Sequence, residues 1–255
     1  MHFFKYQGTG NDFIILDGRE NIPSELDVQL LCDRRFGIGA DGLMVLKNHP
    51  AYDFEMVYYN SDGNLSSMCG NGGRCLAHFA NFLGIGNQGE MEFIAVDGPH
   101  HARVSGNYVE LGMRDVNQWE KRDPNTYVLN TGSPHYVHFM DGNIRELDLI
   151  SFARNIRYND EFSRDGINVN VVHILDSEHI LLRTYERGVE DETLSCGTGV
   201  TASALAFQIH LNTVLPEIKV QSMGGDLVVK SQRNLESFQE IILAGPAVQV
   251  YYGQI

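Results

Sequence analysis

Hydrophobic and polar positions alternate along most of this 255-residue chain in short runs, broken by glycine, asparagine and aspartate. Such a pattern predicts many short strands joined by tight turns. Phe3 to Gln7 and Phe13 to Leu16 predict two strands on either side of the polar loop Gly8-Thr9-Gly10-Asn11-Asp12. Leu43 to Lys47 and Tyr52 to Tyr59 predict two more, the latter alternating Phe54, Met56 and Tyr58 against Asp53, Glu55 and Val57 before the turn Asn60-Ser61-Asp62-Gly63. Glu90 to Val96, Ala102 to Ser105 and Tyr108 to Met113 follow. Ser24, with Asp27 three residues on, predicts a cap for a helix through Leu30, Leu31 and Arg34 that ends before Gly37.

The same order returns in the second half. Tyr127-Val128-Leu129 leads into Asn130-Thr131-Gly132-Ser133-Pro134-His135, a helix is expected from Asp148 through Ile156, and Asn168 to Val172 and Ile180 to Tyr185 read as strands. Glu190-Asp191-Glu192 reads as a solvated loop. Ile218 to Gln221, Leu227 to Lys230, Phe238 to Leu243 and Val248 to Tyr252 complete the strands. Two stretches break this pattern, because Leu76 to Gly89 and Gly197 to Pro216 contain no Asp, Glu, Lys or Arg. Each predicts a helix enclosed by protein. The second approaches the length of a bilayer span, but Thr198, Thr201, Ser203, Gln208, His210 and Asn212 make it too polar for lipid.

The expectation is an α+β fold of two similar domains from an internal duplication, each a curved, mainly antiparallel sheet wrapped round a central buried helix. The first would run over residues 1–115 and be completed by the last strand, 245–255. The second would run over 116–244.

A formal charge of −14 argues against nucleic acid and anionic membranes as partners. Met1 to Gly8 turns polar too quickly for a signal peptide, so a cytoplasmic location is expected. Reduced thiols are then expected at Cys32, Cys69, Cys75 and Cys196. Cys32 and Cys75 read as buried structural residues. The spacing between Cys69 and Cys75 does not suit zinc and no nearby His pair completes four ligands, so no metal site is expected.

The chemistry is concentrated in one repeated device. Ser67-Met68-Cys69-Gly70-Asn71-Gly72-Gly73-Arg74 precedes the first charge-free run, and Ser195-Cys196-Gly197-Thr198-Gly199-Val200 opens the second. Each cysteine should stand at a helix N-terminus, where unpaired N–H groups and the helix dipole stabilise a thiolate. Gly70, Gly72, Gly197 and Gly199 would let backbone amides approach an anion. Two thiols meeting at a cleft between the domains could take a proton from a carbon beside a carboxylate and return one to its other face.

Gly10-Asn11-Asp12-Phe13, Asn60-Ser61-Asp62-Gly63, Met68 to Cys75, Tyr185-Glu186-Arg187-Gly188 and Ser195 to Gly199 together resemble the diaminopimelate epimerase family, from the first strand to the last. The resemblance implies an isomerase without pyridoxal phosphate or any other cofactor, a homodimer, interconverting L,L- and meso-diaminopimelate in lysine and peptidoglycan precursor biosynthesis. It implies that Cys69 and Cys196 are the base and acid, with Gly70, Asn71, Gly197 and Thr198 round the carboxylate at the reacting centre. Asn11, Asn60, Asn168, Glu186 and Arg187 would hold the substrate's polar groups. Glu186 and His135 would tune the cysteines, the carboxylate favouring a thiol and a partly charged imidazole a thiolate.

Two positions depart from the family pattern. Ser133 stands where many members carry Asn before Pro-His, and Gly42 where some carry Gln. A related cofactor-independent racemase with another side-chain preference is therefore an alternative. So are a thiol acyl-transfer hydrolase with His135 as base and a binding module without chemistry. Lys5, Lys47, Lys121, Lys219 and Lys230 all lie outside the cysteine loops, which disfavours pyridoxal phosphate.

Overall fold

The expected short strands are present in the computed structural model, which describes residues 1–20, 26–66, 68–234 and 236–255. Two units divide the chain, Met1–Gly112 with Gly245–Ile255, and Met113–Ala244.

In the first unit β1 (His2–Gly8) and β2 (Asn11–Asp17) form an antiparallel hairpin. Thr9 and Gly10 turn it with φ of 51° and 83°. The left-handed region suits Gly10 and strains Thr9, whose side chain is held elsewhere, as described below. Helix α1 (Val28–Cys32) then carries the chain to β3 (Gly42–Lys47), parallel to β2. An antiparallel strand β4 (Phe54–Asn60) leads to α2 (Gly70–Phe82), and β5 (Glu90–Ala95) returns parallel to β4 with Phe54 stacked on Phe93 at 4.7 Å. β6 (Gly98–Ser105) and β7 (Tyr108–Gly112) close an antiparallel meander.

The second unit runs in the same order. β8 (Trp119–Asp123), β9 (Thr126–Asn130) and β10 (Pro134–Phe139) are antiparallel neighbours. Helix α3 (Leu149–Arg157) crosses to β11 (Asn168–Ile174), parallel to β10. Next come β12 (His179–Glu186), its short antiparallel partner β13 (Asp191–Thr193), and helix α4 (Gly197–His210). After α4 the strand β14 (Glu217–Ser222) lies parallel to β12, and β15 (Gly225–Arg233) and β16 (Phe238–Pro246) form the meander. The last strand, β17 (Val248–Gln254), pairs with β1 in the first unit. Every described α-helix thus lies in a crossover between two parallel strands. The helix carries the chain back to the end of the sheet where the first strand began, so the following strand runs the same way.

Helix α4 is buried almost all round. Val200, Ala202, Ala204, Leu205 and Phe207 pack among Val137, Phe139, Val172, Ile180, Ile218, Val220, Leu227 and Val229. Fully burying a side chain such as Leu205 or Phe207 stabilises by about 2 kcal/mol. In α2 the corresponding face is Cys75, Leu76, Ala77, Phe79 and Ala80, all inaccessible to solvent. Among the described residues no helix is long and apolar enough to cross a membrane.

Some local expectations are corrected. The cap expected at Ser24 lies outside the described residues, and Asp27 caps α1 by accepting from the Leu30 N–H at 2.9 Å. The helix is shorter than expected because Asp33 is extended and its carboxylate takes the Arg35 and Phe36 N–H groups, each at 2.7 Å. Glu190 to Glu192 is not a solvated loop. Asp191 and Glu192 pair with β12, Glu190 accepts from Arg157 at 2.9 Å, and Glu192 grips Arg183 through both oxygens at 2.6 and 2.7 Å. Strands β8 and β10 were not legible as strands, since Trp119-Glu120-Lys121-Arg122-Asp123 is almost wholly polar and β10 begins at a proline.

Candidate active site

Cys69 and Cys196 occupy the same backbone position, each the N-cap of a buried helix. Their dihedrals agree closely, φ −110° and ψ 120° at Cys69, φ −114° and ψ 112° at Cys196. In each the cysteine carbonyl accepts the first helical bond, from Gly73 N at 2.7 Å and from Val200 N at 2.8 Å. Neither helix has an acidic residue in its first turn, and neither has a side-chain cap bond. The first N–H groups therefore keep the partial positive charge that suits a thiolate or carboxylate. The other two cysteines are unlike them. Burial pushes the Cys32 thiol up to about 11 and the Cys75 thiol up to about 12, which keeps both neutral. All four are free thiols.

The glycines serve packing as well as approach. A Cβ on Gly72 would stand 2.0 Å from Met44 Cε, and one on Gly199 would stand 2.5 Å from Asn170 Oδ1.

Around Cys69 the structure brings Asn11 and Asn71 together. Cys69 Sγ lies 3.7 Å from Asn11 Oδ1, which also accepts from Asn71 Nδ2 at 3.4 Å. Asn11 is held from its other edge, where Nδ2 donates to Asp41 Oδ2 at 2.6 Å. Asp41 belongs to a charged cluster that sequence reasoning missed. Arg34 bridges Asp41 and Asp12 at 2.7 Å each, and Lys5 pairs with Asp12 at 2.7 Å. Burial works against the Asp12 carboxylate, but the hydrogen bonds from Arg34 and Lys5 outweigh it and hold Asp12 well below the usual carboxylate range. Arg74 was also missed as a functional group. It is wholly buried, with Nη2 donating to Asn71 Oδ1 at 3.0 Å and to Thr9 Oγ1 at 3.3 Å, and Nη1 to the Gly70 carbonyl at 3.4 Å. Asn60 stands half-buried at the end of β4, on a turn closed by Gly63 N donating to its carbonyl at 2.9 Å.

Around Cys196 the structure brings Thr198 and His135 together. The Thr198 hydroxyl lies 3.4 Å from Cys196 Sγ and 2.9 Å from His135 Nε2, while the Thr198 carbonyl accepts from Thr131 Oγ1 at 2.8 Å. His135 is fully buried. Burial first, and the Arg187 charge second, push its pKa down to about 3. The ring is thus neutral at ordinary pH rather than partly charged, and it reaches Cys196 through Thr198. Glu186 ends β12 with its carboxylate accepting from Thr193 Oγ1 at 3.0 Å.

Asn168 is buried and spends its side chain inside the protein. Its Nδ2 donates to Ser133 Oγ and the Pro134 carbonyl, both at 2.9 Å, and its Oδ1 accepts the Arg187 N–H at 2.9 Å. Arg187 is exposed, with Nη1 on the Asp165 carbonyl at 2.8 Å and Nη2 3.4 Å from Ser133 Oγ. Ser133 is therefore the hydrogen-bond partner of Asn168 and Arg187. The space at Gly42 is already filled, since a Cβ there would lie 2.5 Å from the Tyr58 ring and 2.6 Å from the Tyr59 carbonyl.

Solved structures of other proteins share this fold. A solved hydroxyproline epimerase from Agrobacterium vitis, with bound trans-4-hydroxy-L-proline, superposes over 100% of this chain and 90% of its own with a TM-score of 0.71 at 13% identity. A phenazine biosynthesis protein of the PhzF family from Bacillus anthracis does so over 100% and 98% with a TM-score of 0.75 at 14% identity. At such identities they share the fold alone. The family model of diaminopimelate epimerase matches residues 3–112 and 127–250. The diaminopimelate epimerase of Flavobacterium psychrophilum is 49% identical over 98% of both chains, and that of Chlorobaculum tepidum 42% identical over 97% of this chain and 98% of its own. This chain belongs to the diaminopimelate epimerase family.

Proposed function

We propose that this protein interconverts L,L- and meso-diaminopimelate, with Cys69 and Cys196 as the two acid–base groups. One cysteine, as thiolate, takes the α proton, and the other, as thiol, returns a proton to the opposite face; the roles exchange in the reverse direction. What supports this above all is the matched pair of N-cap cysteines, each heading a helix whose first turn carries no acid. As the α carbon gives up its proton, negative charge spreads onto its carboxylate. The amides of Gly70, Asn71, Gly197 and Thr198 are the donors suited to that charge. Asn11, Asn60, Glu186 and Arg187 supply polar groups for the remainder of the substrate, and Asn168 acts by holding Arg187. His135 and Glu186 adjust the cysteines. The reaction draws on no pyridoxal phosphate or metal, because the two sulfurs supply both proton transfers. The protein would act as a homodimer in the cytoplasm, in the supply of lysine and peptidoglycan precursors.

The test is incubation with L,L-diaminopimelate in heavy water under reducing conditions, without added cofactor. The expected result is meso product with one deuterium at the inverted carbon. Cys69→Ala and Cys196→Ala should each abolish it. Exchange with another amino acid only would move the reading to a sister racemase. Epimerisation that survives either change would overturn the two-thiol assignment.

A further inference from the structure

Cys196 is approached by a chain of buried polar groups whose hydrogens can be placed one after another. The Tyr136 backbone carbonyl can only accept, so the edge of Asn170 that faces it at 3.2 Å is Nδ2. The same Nδ2 lies 3.0 Å from His135 Nδ1, and Oδ1 on the other edge accepts from Thr184 Oγ1 at 3.0 Å. An N–H aimed at a ring nitrogen requires a lone pair there, so Nδ1 is bare. The neutral ring then carries its proton on Nε2 and donates it to Thr198 Oγ1 at 2.9 Å. Accepting from the ring leaves the Thr198 hydroxyl its own hydrogen to give, and Cys196 Sγ at 3.4 Å, which as a thiolate can only accept, is the partner placed to take it.

We infer that Asn170 is a positioning residue for Cys196: with Thr184 it locks His135 as the Nε2–H tautomer, which makes the Thr198 hydroxyl a donor to the sulfur and favours the thiolate. The relay is built into the core. Asn170 is inaccessible to solvent and Thr184 nearly so. Gly199 is glycine where a Cβ would strike Asn170 Oδ1 at 2.5 Å and approach His135 Cε1 at 3.4 Å.

Charged and titratable groups on the strands round α4 face other partners or solvent: on β9, Tyr127 meets His210 at 3.3 Å, and on β15, Arg233 donates to the Gln208 and Thr213 carbonyls while Asp226 is exposed. On β10, His138 faces Thr126 Oγ1 at 2.9 Å, and on β11, His173 faces the Met140 carbonyl at 3.1 Å. On β12, Arg183 pairs with Glu192, while Arg187 just beyond the strand repels a proton from His135. Glu186 bonds Thr193, and Glu217 and Lys219 on β14 are exposed. The contact at Cys69 has the opposite polarity. Asp41 fixes the Asn11 amide so that a carbonyl oxygen, which can only accept, faces that sulfur.

The role of this relay rests on the epimerase reading, but its test does not. Alkylation of Cys196 by iodoacetamide, followed by peptide mass spectrometry from pH 5 to 10 on the full chain, reports its ionisation without substrate. Thr198→Val should raise the midpoint by about one pH unit, slowing alkylation at pH 7 about tenfold, and Thr198→Ser should restore it. Asn170→Leu should raise the midpoint too, and lower kcat far more than it changes KM. In parallel, 15N spectra of labelled histidine should show His135 with a bare Nδ1 and no titration near pH 6.5. Equal midpoints for wild type and Thr198→Val, or a His135 protonated on Nδ1, would overturn the relay. The wild-type spectrum and Thr198→Val decide it even where Asn170→Leu does not fold. An expected alkylation profile without α-proton exchange on any amino acid would sink the epimerase reading and leave the relay standing.

Discussion

Asp41 Oδ2 accepts a hydrogen bond from Asn11 Nδ2 at 2.6 Å, and this one bond decides which end of the Asn11 amide faces Cys69. A carboxylate only accepts, so the amide nitrogen must point to Asp41 and the oxygen to the sulfur. Asp41→Asn removes that constraint and also weakens the Arg34 bridge. A bond to a charged group is worth about 1.5–3 kcal/mol. Epimerisation should fall roughly tenfold in kcat/KM, with binding of substrate disturbed less than turnover. Unchanged kinetics in Asp41→Asn would show that the amide orientation does not matter.

Arg74 presents a guanidinium to the base of the same loop, with no carboxylate within ion-pair distance among the described residues. Burial lowers its pKa, yet arginine retains its charge in proteins. A buried cation near Cys69 favours a thiolate there, against the thiol-favouring contact of Asn11. Arg74→Met should therefore slow alkylation of Cys69 at pH 7 several-fold and leave Cys196 unaffected. Stability should change by no more than about 1 kcal/mol, because removing a poorly paired buried charge offsets the lost hydrogen bonds. A Cys69 that reacts at the wild-type rate would refute this.

Stability should fall as pH drops through the window set by His135. Its folded pKa is about 3, below the ordinary histidine value near 6.5, so the unfolded chain binds a proton there that the folded chain refuses. The contribution is complete above pH 6.5 and is lost as pH falls toward 3, with a slope of up to about 1.4 kcal/mol per pH unit. Urea unfolding at pH 7 and pH 4.5 should show a smaller loss in His135→Gln than in wild type. Parallel losses would place the acid sensitivity elsewhere, with His78, His138 and His210, whose pKa values burial also lowers, as the next candidates.

Gly42→Gln, which restores the residue some family members carry, should destabilise this protein. The new Cβ meets the Tyr58 ring and the Tyr59 carbonyl at 2.5 and 2.6 Å, so overpacking of about 2 kcal/mol is expected. That corresponds to a drop in Tm of roughly 4–8 °C. Tyr58→Ala added to Gly42→Gln should recover part of it, and a Gly42→Gln protein as stable as wild type would show that the ring yields freely.

The local pattern of apolar and polar residues determined most of the elements, because alternation and charge-free runs report burial directly. The cysteine loops were legible for the same reason: Cys69-Gly70 and Cys196-Gly197 stand where polar loops give way to buried helices. The family resemblance pointed to His135, Glu186 and the asparagines, but not to their hydrogen-bond directions. Strand pairing lay beyond local pattern, since parallel crossovers over each helix depend on residues far apart in the chain. So did the relay and the charged cluster. Asn170 and Thr184 look like ordinary strand residues, and Asp41 like a turn former, until β11 lies beside β12 and β2 beside β3. Only that packing buries His135 deeply enough to strip its charge, because desolvation is a property of the surrounding protein and not of the residue.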